Sequence, residues 1–195
     1  MSNNLDLNSN RDNKKNLIEK LVKRAQFGDM NAFAGIYDYY VDRIYKYFYF
    51  KTSNEEAFDL TENLFLSVWD NLSMYKPRKD SSFSAWIFRI AHNALVDYYR
   101  VKKDVLPLDE RHSDQRRENS PVIFAERNLS KTCLKTALSR LKDKYREVIT
   151  LSYISGFSNE EIARILNKND GNLRVLKFRA LRELKKILEE MGIVY

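Results

Sequence analysis

The chain has little of what most chemical sites are built from: one cysteine, two histidines, three prolines and five glycines in 195 residues. A lone cysteine cannot close an internal disulfide, and Cys133 with two histidines cannot assemble an ordinary zinc site. Its place beside Leu129, Leu134, Ala137 and Leu138 reads as a small hydrophobe in a core stripe. So few glycines and prolines leave little material for hairpin turns, which favours helices over sheet. No apolar run is long enough to cross a bilayer, and residues 1–16 lack the apolar segment of a signal peptide. No membrane insertion and a cytoplasmic location are therefore expected. There is no Gly-rich phosphate loop, and the pairs Glu55 with Glu56, Glu160 with Glu161 and Glu189 with Glu190 read as solvated helix faces. His92 has no Cys or carboxylate neighbour at ligand spacing. The sequence thus argues against an enzyme, with no catalytic residue, metal or cofactor expected.

What is present is apolar content and positive charge. The hydrophobic share of 44% supports a globular chain with buried cores rather than a disordered one. The formal net charge of +7 is unevenly spread: residues 129–191 hold 14 basic and 8 acidic side chains, whereas residues 104–128 hold 4 and 6. A basic surplus at one end is the electrostatic footprint of phosphate attraction, or simply a solvated surface.

The basic end contains GFSNEEIARILNKNDGNLRVLKFRALREL, residues 156–184. Ser158 and Glu161 form a capping box that opens a short helix, whose Ile162, Ile165 and Leu166 make one apolar stripe. Residues 167–169 make a turn. Asn169 or Asp170 then caps a second helix with Leu173, Leu176, Ala180 and Leu184 on one side and Arg174, Phe178 and Arg179 elsewhere. Two short helices around a tight turn, the second bearing arginines near its start, suit a DNA major groove. An ordinary helical hairpin carries the same features, so the rest of the chain must decide.

Residues 1–15, rich in Asn, Asp and Ser, read as a disordered tail. Leu17, Ile18, Leu21, Val22 and Ala25 predict an amphipathic helix closed by Gly28. A longer, aromatic-rich helix follows from about Asn31 to Phe50, with Phe33, Tyr37, Tyr40, Tyr45 and Phe48 mostly core. Ser53 and Glu56 form a second capping box, opening a helix through Ala57, Leu60, Leu64, Val68 and Trp69. Pro77 ends this pattern, and residues 76–82 read as a polar loop. A fourth helix is predicted over 83–102, with Trp86, Ile87, Ile90, Ala91, Ala94 and Leu95 inside. Residues 104–120 lose periodicity, as a linker does. Ser120 and Pro121 suit the start of another helix, and Asp143 is expected to cap the next. The predicted fold is all-α: two small helical domains, 16–103 and 121–191, on a flexible linker.

Two segments together carry a family likeness. FDLTENLFLSVWDNL (58–72) and DSSFSAWIFRIAHNALVDYYRVKK (80–103) resemble region 2 of bacterial RNA polymerase sigma factors. LSRLKDKYREVITLSYISGFSNEEIARILNKNDGNLRVLKFRALREL (138–184) resembles region 4. With nothing similar to regions 1 and 3, the resemblance is to the extracytoplasmic-function (ECF) subfamily. It implies a specificity subunit that binds core RNA polymerase, directs it to promoters and helps open the DNA.

By that resemblance, the clamp helices of the largest polymerase subunit would meet Asp59, Leu60, Glu62, Asn63 and Phe65, and the flap of the second largest subunit would meet region 4. Minus-ten recognition and melting would fall to Arg78, Lys79, Ser82, Phe83, Arg89, Asn93, Arg100, Lys102 and Lys103. Aromatics and a base pocket offset the unstacking cost there. Minus-thirty-five reading would use Asn172, Arg174, Val175, Lys177, Phe178 and Arg179. An anti-sigma factor is a further implied partner. The alternative reading is a stand-alone helix-turn-helix regulator with an N-terminal sensor or dimerisation domain, which would bind operators without polymerase.

Overall fold

In the computed structural model the backbone is described for residues 3–77, 82–105 and 125–193, and every element in them is helical. Four helices form the first module: α1 (Asn3–Gln26), α2 (Met30–Tyr49), α3 (Asn54–Asn71) and α4 (Phe83–Val105), with a 3-10 turn at Leu72–Met74. The second holds α5 (Ala125–Ser139), α6 (Asp143–Ile149), α7 (Asn159–Ile165) and α8 (Asp170–Glu190), with a π turn at Thr150–Ile154 between α6 and α7. The 104–120 linker and the Ser120–Pro121 start fall largely on residues outside those described.

Helix α1 begins at Asn3, within the segment whose composition marks it as a tail. The apolar spacing of Ile18, Val22 and Ala25 anchors its second half in the core, and adding residues to an existing helix avoids the cost of nucleating one. Gly35 is where α2 meets α1 closely: a Cβ there would stand 3.2 Å from Leu21 Cδ1. Asp29 caps α2 by accepting the Ala32 amide, and Ser53 with Glu56 forms the expected capping box at α3. The Gln26 amide donates to the carbonyls of Leu72 and Tyr75 at 2.9 and 2.7 Å, tying the end of α1 to the 3-10 turn.

Helix α6 departs from expectation. Its N-cap is Lys142, and Asp143 lies inside the first turn, paired with Arg146 at 3.2 Å. An acidic side chain at that position favours the helix dipole even where it does not cap. The Arg146 guanidinium also donates to the carbonyls of Leu138, Ser139 and Leu141, occupying acceptors that the end of α5 leaves over.

The packing between the modules is a further finding, on which the sequence is silent. The two modules pack on each other through two clusters of buried side chains, each drawing on both modules. Phe88 of α4 meets Phe157 edge to face at 4.6 Å, and Phe50, just past α2, joins the cluster of Ala137, Leu138, Leu141, Ile149 and Ala180. Sequence patterning cannot register this, because a residue buried by its own module and one buried by the other look alike in periodicity.

Candidate nucleic-acid interface

The helix-turn-helix forms as expected. Ser158 Oγ accepts the Glu161 amide at 3.3 Å, and Glu161 returns a carboxylate oxygen to the Ser158 amide at 2.9 Å. Gly156, at φ 72°, supplies the left-handed residue that separates the π turn from this box. Asn167, at φ 52°, makes the turn into α8; asparagine tolerates that region better than most residues. Asn169 occupies the N-cap of α8 without a side-chain cap bond.

Along α8, Leu173 and Ala180 are buried and Leu176 and Leu184 partly so, which leaves Asn172, Arg174, Val175, Phe178 and Arg179 exposed. Val175 is 51% and Phe178 61% exposed. That pairing of arginines with apolar side chains on a solvent face matches the mixture of guanine edges and thymine methyls in a major groove. Lys177 differs from its neighbours: it is half-buried, its ammonium 4.8 Å from the centre of the Tyr153 ring.

Helix α4 carries a second polar stripe. Arg89, Asn93, Arg100 and Lys103 are all exposed, at spacings that keep them on one side of the helix. Arg100 pairs with Asp97 at 3.1 Å. Arg89 donates to the carbonyl of Arg164, on α7, at 3.0 Å. Ser82 accepts the Ala85 amide at 3.2 Å, which secures the start of the helix. Phe83 is placed differently from expectation. It is 2% exposed and packs against Tyr40, Tyr75 and Trp86, so it belongs to the core and offers no face to a base. Trp86 is half-buried against Tyr75 and Phe83. Arg78 and Lys79 lie outside the described residues.

Lys102 is held by structure rather than presented freely: its ammonium lies 2.9 Å from both Glu56 Oε1 and Tyr98 Oη. Burial would raise the Glu56 carboxyl, but hydrogen bonds from Tyr98, the Ser53 amide and Lys102 outweigh it and hold the group at about 2. A carboxyl lowered on folding stabilises the fold fully above its unfolded value near 4.5 and loses that contribution as pH falls toward 2. Thermal unfolding followed from pH 5 to pH 2.5 is therefore expected to show wild type losing its advantage over Glu56→Gln. A constant gap between the two curves would contradict the assignment.

On α3, Asp59, Glu62 and Asn63 are exposed on one stripe, and Leu60 is half-buried beside a shallow groove shared with Ala94, Tyr98 and Val101. Phe65 is turned inward, 5% exposed and 4.6 Å from the Tyr37 ring, which removes it from any partner surface. Leu66 is 65% exposed instead. It stands seven residues from Asp59, a spacing that would have placed it on the same stripe. Among the described residues no group of His, Cys, Asp and Glu could hold a metal ion, and no helix is long and apolar enough to cross a membrane.

The modules coincide with two domains of the sigma-70 class of transcription factors. Residues 36–104 match the model for sigma-70 region 2, and residues 131–184 match that for sigma-70 region 4. The chain is 32% identical over 189 residues to the ECF RNA polymerase sigma factor SigW of Bacillus subtilis (strain 168), covering 90% of this chain and 98% of that protein. It is also 32% identical over 174 residues to the ECF RNA polymerase sigma factor BldN of Streptomyces coelicolor, covering 88% of this chain and 66% of that one. The chain belongs to the ECF sigma factors, which are not enzymes but transcription initiation factors that direct RNA polymerase to promoters. The fold agrees with two solved structures: CnrH in complex with the cytosolic domain of CnrY, and the sigma factor RpoE with the anti-sigma factor NepR from Bartonella quintana. Their TM-scores are 0.70 and 0.67 at 24% and 22% identity. They cover 89% and 80% of this chain, and 98% and 96% of those chains.

Sequence reasoning missed one constellation: Tyr47, Lys51 and His92 of region 2 gathered around Glu147 of region 4. No spacing rule connects residues of α2, α4 and α6, so no sequence signal marked them.

Proposed function

We propose that this chain uses three exposed helical stripes as a promoter-specificity subunit in the cytoplasm. The α3 stripe of Asp59, Glu62, Asn63 and Leu66, with Leu60 at its edge, docks on the clamp helices of core polymerase, while region 4 meets the flap. The α4 stripe of Arg89, Asn93, Arg100 and Lys103 takes the minus-ten element, with Ser82 at its start and Arg78 and Lys79 on the preceding loop. The α8 face of Asn172, Arg174, Val175, Phe178 and Arg179 reads the minus-thirty-five element, with Lys177 at its margin. An anti-sigma factor covering the α3 stripe would keep the chain from polymerase.

The observation that carries this reading is the α8 face. It joins arginines to exposed apolar side chains on a capped helix-turn-helix whose other side is buried. The test is run-off transcription with core polymerase and a library of promoter fragments. Specific transcripts that depend on this chain are expected, and Asp59→Ala should lower polymerase affinity severalfold in a competition assay without altering promoter choice. Tight operator binding by the chain alone, with no transcript from an active core enzyme, would replace this reading with that of a stand-alone regulator.

A further inference from the structure

Helix α6 sends Glu147 out of region 4 and into region 2. Its Oε1 accepts from Tyr47 Oη at 2.7 Å and lies 3.2 Å from His92 Nδ1, while Oε2 lies 2.8 Å from Lys51 Nζ. The Lys51 side chain is 2% exposed, and its ammonium also sits 3.2 Å from the centre of the Tyr47 ring. Burial lowers Lys51 to about 8, a loss that the Glu147 charge only partly offsets. Burial would raise Glu147, yet Lys51, His92 and Tyr47 together lower it. The 2.8 Å contact between Lys51 Nζ and Glu147 Oε2 has the geometry of an ion pair.

Three polar groups of region 2 therefore converge on one carboxylate that region 2 does not itself supply. A buried ammonium without an anion is costly, and breaking such a pair from one side is far worse than never having built it. We propose that Tyr47, Lys51 and His92 form a carboxylate socket on region 2, and that by seating Glu147 it latches region 4 against the promoter-melting helix.

The surrounding contacts give the latch its consequence. Arg43 donates to the Ser155 carbonyl at 2.8 Å, its guanidinium 5.5 and 5.3 Å from the Phe88 and Phe157 ring centres, and Arg89 is engaged by the Arg164 carbonyl. Helix α7 thus lies on α4 and occupies a cation of the minus-ten stripe, while the α8 face stays exposed. Two promoter elements whose names place them about 25 base pairs apart are separated by roughly 85 Å of B-DNA. Modules that share a core cannot reach both. The latched chain is an off state, and polymerase must open it. This consequence rests on the promoter-reading assignment above; the socket itself does not.

Spin labels on Asp70→Cys and Glu183→Cys, with Cys133→Ser, report the distance between regions in the full chain. Wild type is expected to give one narrow distance. Glu147→Gln and Lys51→Met should give at least tenfold more of a separated, broad population at unchanged helicity. Tyr47→Phe removes only the hydroxyl and keeps the ring, so it decides the matter if either charge variant misfolds; it should open the chain partially. A wild type already separated, or variants that keep the wild-type distance, would overturn the latch. In run-off transcription with unlabelled protein, Tyr47→Phe should reach half-maximal output at a severalfold lower concentration, and no change there would remove the inhibitory role. Absence of any transcript from wild type would instead count against the sigma-factor reading, leaving the distance measurement to judge the socket.

Discussion

Replacing Phe88 by alanine is expected to lower the free energy of unfolding by about 3–5 kcal/mol, the range for a fully buried aromatic truncated to a methyl. Phe88 is 0% exposed, with the Tyr47 and Phe157 rings at 5.6 and 4.6 Å and the Arg43 guanidinium 5.5 Å from its centre. Globular proteins hold only about 5–15 kcal/mol in total, so the midpoint of thermal unfolding should fall by about 10 °C in calorimetry. Because Phe88 is the point where α4 receives region 4, the effect should couple to that of Phe157→Ala. The double variant should cost less than the two single losses added together. A loss under about 1 kcal/mol for Phe88→Ala would mean that the two regions do not share a core in solution.

Arg174→Ala is expected to cut transcription about 10- to 100-fold from promoters whose upstream element presents the matching guanine. That range corresponds to the roughly 1–3 kcal/mol of discrimination in a bidentate contact. Docking of the α3 stripe on the clamp helices should be unchanged, since Arg174 lies on the exposed face of α8, in region 4, far along the chain from that stripe. Lysine should not restore the loss, because the planar fork of the guanidinium matches two acceptors at once and an ammonium does not. Transcription measured over a promoter panel at two salt concentrations separates the alternatives. An equal loss on every promoter, with a salt dependence shallower by about one counterion, would assign Arg174 to a phosphate instead.

Local signals were legible to the residue. Both capping boxes form where Ser and Glu stand three apart, at Ser53 and Ser158. The α8 stripe divides into the buried Leu173 and Ala180 and the exposed Arg174 and Phe178 that periodicity assigns. Each of these depends on neighbours within one turn of helix. Apart from the cap of α6, which falls on Lys142 rather than Asp143, the readings that failed depend on distant neighbours. Phe83 and Phe65 look equally suited to a partner and a core, and only the positions of Tyr40, Tyr75 and Tyr37 decide between them. The loss of periodicity between the modules marks the linker, as expected, but it reports the local chain and not how the two modules sit on each other. Glu147 was invisible for the same reason: a lone carboxylate on a short helix reads as solvated until the module carrying Lys51 is laid against it.

The π turn at Thr150–Ile154, closed by the Ser155 amide on the Thr150 carbonyl at 2.9 Å, has a bearing on all of this. Each residue added to or taken from a helix rotates whatever follows by about 100°. Glu147 lies before the turn and Phe157 after it, yet both face the same partner module. The extra residue works as a phase adjuster between the anchor and the reading head. A chain one residue shorter at this point would keep its composition, its caps and its helix-turn-helix, and would aim them in the wrong direction.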